Sequence, residues 1–133
     1  MKILIIDGQG GGIGRQLVEA LKRAGENDVD CVGTNAIATT AMLRAGATRA
    51  ATGENAAIVA CREAEVIAGP VGIVIADALL GEVTPRMAAA VGQSLARKVL
   101  IPVNQCGNFV VGVPSGATTA QLVAQAVEVI LHP

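Results

Sequence analysis

An apolar run, Ile3-Leu-Ile-Ile6, ends in Asp7 and is followed at once by Gly8-Gln-Gly-Gly-Gly-Ile-Gly14, five glycines in seven residues. Directly behind the glycines comes Arg15 to Ala24, a helical pattern with Ile13, Leu17 and Leu21 at four-residue spacing and Gly25 as its stop. A strand, a glycine turn and a helix in immediate succession form the layout of a phosphate-binding turn. Glycines let the backbone bend sharply and approach a ligand closely, and the helix start offers free N–H groups at the positive end of its dipole. This stretch predicts a nucleotide-type site and leaves the reaction open.

The rest of the composition bounds what can be built around it. At 133 residues the chain suits one domain, 1–133, too small for a nucleotide domain plus a separate substrate domain. A net charge of -1 gives no electrostatic footprint for nucleic acid or an anionic membrane. With one Phe and no Tyr or Trp, the core must come from Val, Ile, Leu and Ala, as suits parallel strands buried on both faces. No signal-like segment or membrane-length apolar run is found, and Cys31, Cys61 and Cys106 show no CxxC spacing. Reduced thiols, a cytoplasmic location and no metal site are the expectations.

Read in order, the chain alternates strand and helix. Strands are expected over 2–7, 30–33, 48–51 and 65–68, the last ended by Gly69-Pro70. Helices are expected at 15–24, at 36–45 with Gly46 as its C-terminal cap, and from Thr52–Asn55 to about Ala64. The apolar stretch Val71 to Leu80 reads as either a further strand or a buried helical turn. Thr84-Pro85 starts a helix carrying Met87, Val91 and Leu95 to Arg97-Lys98. Val99 to Val103 is a strand whose proline points toward the sheet edge. After a turn at 104–108, Phe109 to Val113 is expected to return as an antiparallel edge strand. Thr118 and Gln121 form a capping box for a last helix carrying Leu122, Ala126, Val129 and Ile130. The expected architecture is α/β, Rossmann-like and doubly wound, a mostly parallel sheet with helices on both faces.

In such sheets ligands bind at the carboxyl ends of the strands, where the winding direction switches. Those ends carry Gly8, Gln9, Gly10, Gly11, Gly12, Ile13 and Gly14, then Thr34 and Asn35, then Thr52 to Asn55, Gly69, Pro70 and Gly72, and Asn104 with Gln105. The spacing Gly8-x-x-x-Gly12-Ile13-Gly14 resembles the TGxxxGIG cofactor motif of the short-chain dehydrogenase/reductase family, over about the first 35 residues. The resemblance implies that Gly8, Gly12 and Gly14 form the turn beneath a dinucleotide pyrophosphate. The family's threonine is Asp7 here, a carboxylate that must turn away, cap a backbone N–H or meet a cation. Twenty residues beyond Gly14, where an acid commonly holds the ribose diol, stand Thr34 and Asn35. Either can hydrogen-bond a ribose, and NAD versus NADP stays open.

Chemistry of the short-chain type is excluded, because it needs a tyrosine and the chain has none. The single histidine, His132, is penultimate, and Lys2, Lys22 and Lys98 all lie away from the expected strand ends. Glu54 at a helix start is read as complementing the dipole, and Glu82 as part of a helix entry. Asp77, inside an apolar run, must find donors or reach a cavity. Cys106 and Ser115 lack a partner base in sequence.

Across nearly the whole length, IDGQGGGIG, GPVGIVIAD, LLGEVTP and IPVNQCGN resemble a functionally uncharacterised family of small, single-domain, Rossmann-like bacterial proteins. The leading expectation is a homo-oligomeric protein binding a nucleotide, NAD or NADP in type. The alternative is a non-catalytic sensor or assembly subunit on the same fold. An enzyme using Asp7, Glu54 or Asp77 with a metal trails both, since one carboxylate per loop is no ligand cluster.

Overall fold

The computed structural model describes residues 1–103 and 107–133. Five strands, β1 (Ile3–Asp7), β2 (Val29–Gly33), β3 (Arg49–Thr52), β4 (Val66–Pro70) and β5 (Arg97–Ile101), form one sheet in the order β3-β2-β1-β4-β5. Every pairing is parallel. The chain is thus α/β with the strand order of a Rossmann-like half, and the winding reverses between β1 and β4.

Alternation along the strands sorts the core into two layers. Ile3 and Ile5 of β1 join the layer beneath α1 (Gly12–Arg23), α2 (Ala36–Arg44) and α5 (Thr119–Leu131), with Leu17, Met42 and Val123. Leu4 and Ile6 face the other way, toward α3 (Glu54–Glu63) and α4 (Pro85–Gln93), with Ala57, Cys61 and Met87. All five residues of β1, β2 and β4 are buried, the signature of strands covered on both faces. Edge strand β3 is mostly exposed.

Local signals set several boundaries. Gly25, at φ +93°, ends α1: its N–H reaches Lys22 O at 3.0 Å, and Glu26 N–H reaches Leu21 O at 3.1 Å. Gly46, at φ +113°, ends α2 in the same way. Thr118 and Gln121 form the expected capping box at α5. β5 is the sheet edge, and it stops just before Pro102. Among the described residues no helix is long and apolar enough to cross a membrane.

Three expectations are corrected, and one open alternative is decided in part. β4 runs on through Gly69-Pro70, because its ladder with β1 stops at Ala68 while β5 pairs with it as far as Pro70. Of the open stretch Val71 to Leu80, Val71–Val74 forms a single 3-10 turn and the remainder is bend and turn, with no strand. α4 ends at Gln93, so Leu95 is fully exposed and Arg97-Lys98 belong to β5. Ser94 makes that stop: its hydroxyl donates to Cys61 O at 2.8 Å and accepts Ala96 N–H at 3.1 Å, drawing the chain out of the helix. The antiparallel strand over 109–113 is absent. Phe109 and Val111 are exposed, and Gly112 turns the chain at φ +94°.

Candidate functional site

The loop between β1 and α1 is a closed turn. Gly11 N–H donates to Gly8 O at 2.9 Å, with Gln9 at φ +49° and Gly11 at φ +73°. It borders a cavity of about 240 Å³ that is also lined by Asp7, Ile13, Gln16, Pro70, Leu79 and Thr119. The starts of both α1 and α5 therefore face this space at the β1–β4 switch point.

Two carboxylates occupy much of the loop. Asp7, only 4% exposed, accepts Gly8 N–H through Oδ1 and Gly14 N–H through Oδ2, both at 2.7 Å. Of the options its position allowed, it takes backbone capping. Burial pushes its carboxyl above the usual range, and the amides of Gly14, Gly8 and Ile13 offset only part of that. Glu82, from the β4–α4 connection, accepts Gln9 N–H at 2.9 Å and both Thr34 Oγ1 and Asn35 Nδ2 at 2.7 Å. Partial burial works against its charge, but these donors outweigh it and its pKa is lowered.

Thr34 and Asn35 are therefore engaged inside the protein. Asn35 also caps α2, accepting Ala38 N–H at 2.9 Å through Oδ1. Reading Glu82 as a mere helix entry overlooked this tie. The signal was the missing acid at 34–35, which directs attention to acids on neighbouring loops.

The glycines divide into two groups. A side chain at Gly8 would collide with the Thr34 hydroxyl and Leu79, at Gly11 with Ala38 Cα at 2.8 Å, and at Gly14 with Met42 and Asp7. At Gly69 it would strike the carbonyl of Ile6, which makes Gly69 a packing residue. Gly10 and Gly12 differ. A side chain at either would meet nothing within 4 Å, and neither has a positive φ. Among the described residues their N–H groups also form no hydrogen bond.

Other candidates lie apart. Glu54 accepts the Thr84 hydroxyl at 2.6 Å and approaches Arg86 at 3.9 Å, joining the starts of α3 and α4. Asp77 is exposed, at φ +65°, and needs no buried partner. With Asp7 they do not converge: no group of three His, Cys, Asp or Glu among the described residues is placed to hold a metal. Cys31 and Cys61 are buried thiols, burial pushing each up to about 11. His132 sits at the far end of α5, 3.9 Å from Glu128. Asn104, Gln105 and Cys106 lie outside the described residues.

No curated protein and no solved structure matches the chain. A family profile does match, over residues 2–133, nearly the whole length. The chain belongs to the DUF3842 family, a domain of unknown function.

Proposed function

We propose that this protein binds a nucleotide, NAD or NADP in type, with its phosphates on the Gly8–Gly14 loop. The observation carrying this reading is the pair Gly10 and Gly12. They lack a side chain for no reason of packing or backbone angle, and their amides have no internal acceptor. Open space and unpaired N–H groups beside a helix start are what an anionic ligand needs. The cavity of about 240 Å³ is small for a whole dinucleotide. It suits a phosphate with part of its sugar, the remainder lying along the strand ends. Exposed Leu95, Phe109 and Val111 favour further burial against a copy of the chain, consistent with a homo-oligomer.

A second reading, a non-catalytic sensor or assembly subunit, draws on Asp7 and Glu82. These carboxylates already satisfy the amides of Gly8, Gln9 and Gly14, and they place negative charge beside any phosphate. A thermal-shift screen against NAD, NADP, ATP, AMP, coenzyme A and S-adenosylmethionine separates the two. Ligand at a hundred times its Kd adds about 2.7 kcal/mol of stability, readily seen in a domain of this size. A clear shift with one nucleotide supports the first reading. No shift with any of them transfers support to the second.

A further inference from the structure

Residues 77–83 form a loop closed on itself. Asp77 N–H reaches Val83 O at 2.8 Å, Gly81 N–H reaches Asp77 O at 3.0 Å, and Val83 N–H reaches Ala78 O at 3.1 Å. Asp77, Leu79 and Leu80 all hold positive φ, at 65°, 57° and 56°, conformations that only a well-determined surrounding maintains. The loop lies close over Gly8, where an added Cβ would meet Leu79 Cδ1 at 2.7 Å and Glu82 Oε1 at 3.1 Å. Its product is a fixed carboxylate above the ends of β1 and β2.

All three donors to Glu82 use Oε1. Oε2 has no hydrogen bond among the described residues. The oxygen that is held orients the group, and the other remains free to accept. In dinucleotide-binding folds an acid about twenty residues after the glycines, at the end of β2, receives the ribose hydroxyls. Here Thr34 and Asn35 take that position, and the Glu82 carboxylate stands 2.7 Å from both.

We propose that Glu82 is the ribose-binding carboxylate of this site, supplied by the β4–α4 loop instead of β2, and that it selects nucleotides with a free 2′-hydroxyl. The proposal rests on the nucleotide reading above and narrows it to the NAD class. A carboxylate accepts a 2′-hydroxyl and repels a 2′-phosphate. No lysine or arginine among the described residues pairs with Glu82, Thr34 or Asn35, so nothing there compensates a phosphate.

Calorimetric titration with ADP-ribose and with its 2′-phosphate tests this on the wild-type protein and on Glu82→Gln. Glutamine keeps an oxygen for Gln9, Thr34 and Asn35 and removes the charge. Wild type is expected to bind ADP-ribose at least about tenfold more tightly than the 2′-phosphate, the factor that one hydrogen bond to a charged group supplies. In Glu82→Gln, ADP-ribose binding falls by about the same factor while 2′-phosphate binding holds or improves. A purely structural role would weaken both ligands together, which overturns the proposal. Equal wild-type affinity for the two also overturns it and leaves the nucleotide reading standing. Binding of neither overturns both. The wild-type ratio decides even where the variant does not fold.

Discussion

Asp7 Oδ2 accepts the N–H of Gly14 at 2.7 Å, so the last residue of β1 caps the helix that begins beyond the glycine loop. Gly11, at the N-cap position, has no side chain to do this. The cap is therefore supplied from the strand, and it locks the loop from beneath.

Asp7→Ala leaves the amides of Gly8 and Gly14 without their acceptor. We expect a loss of about 1–3 kcal/mol in denaturant unfolding, the cost of unsatisfied buried donors. The pH dependence has a definite sign. The folded pKa of Asp7 is raised, so its contribution is full below the unfolded value and is lost as pH rises through the folded one. The stability difference between wild type and Asp7→Asn should therefore fall as pH rises above about 4. A difference that grows with pH would show Asp7 to be held as a stabilised anion.

Glycines of the two groups should respond oppositely. Gly69→Ala forces a Cβ against the Ile6 carbonyl and should cost about 1–3 kcal/mol, as overpacking does. Gly12→Val fills open space and should leave the fold intact while abolishing binding of any phosphate ligand. Thermal melts read the first effect and a ligand titration the second. Unchanged affinity in Gly12→Val sinks the phosphate role of the loop.

Leu80 carries a backbone cost without a packing return. It is 98% exposed at φ +56°. A left-handed conformation costs an ordinary residue about 1–2 kcal/mol, and asparagine tolerates it better. Leu80→Asn should raise unfolding stability by about 0.5–1 kcal/mol. A loss of stability would mean that the leucine is covered in solution, as an interface between copies would do.

Asp30 carries the opposite pH sign from Asp7. Burial works against its charge, but Arg49, at 2.6 Å from Oδ2, and Lys2, at 3.6 Å, hold its carboxyl below the usual value. That stability is present above the ordinary carboxylate range and is lost as pH falls through the lowered folded value. Arg49→Ala should move the acid-unfolding midpoint upward in a circular dichroism titration. An unchanged midpoint would assign the effect to Lys2 alone.

What the chain determines locally was legible in its residues. Apolar runs of strand length, four-residue helical spacing, Gly25 and Gly46 as helix stops and the Thr118–Gln121 box all act within a few residues of one another. They suffice for an alternating α/β chain whose first turn is rich in glycine. Tertiary structure alone decided where α4 stops, because Ser94 answers to Cys61 across 33 positions. It also carried β4 past a glycine and a proline, through pairing with β5. It divided the glycines into those pressed by neighbours and those facing open space. Above all, it brought Glu82 to Thr34, 48 residues away in the chain. A carboxylate's role follows from which donors surround it, and those donors are assembled only when the strand ends come together.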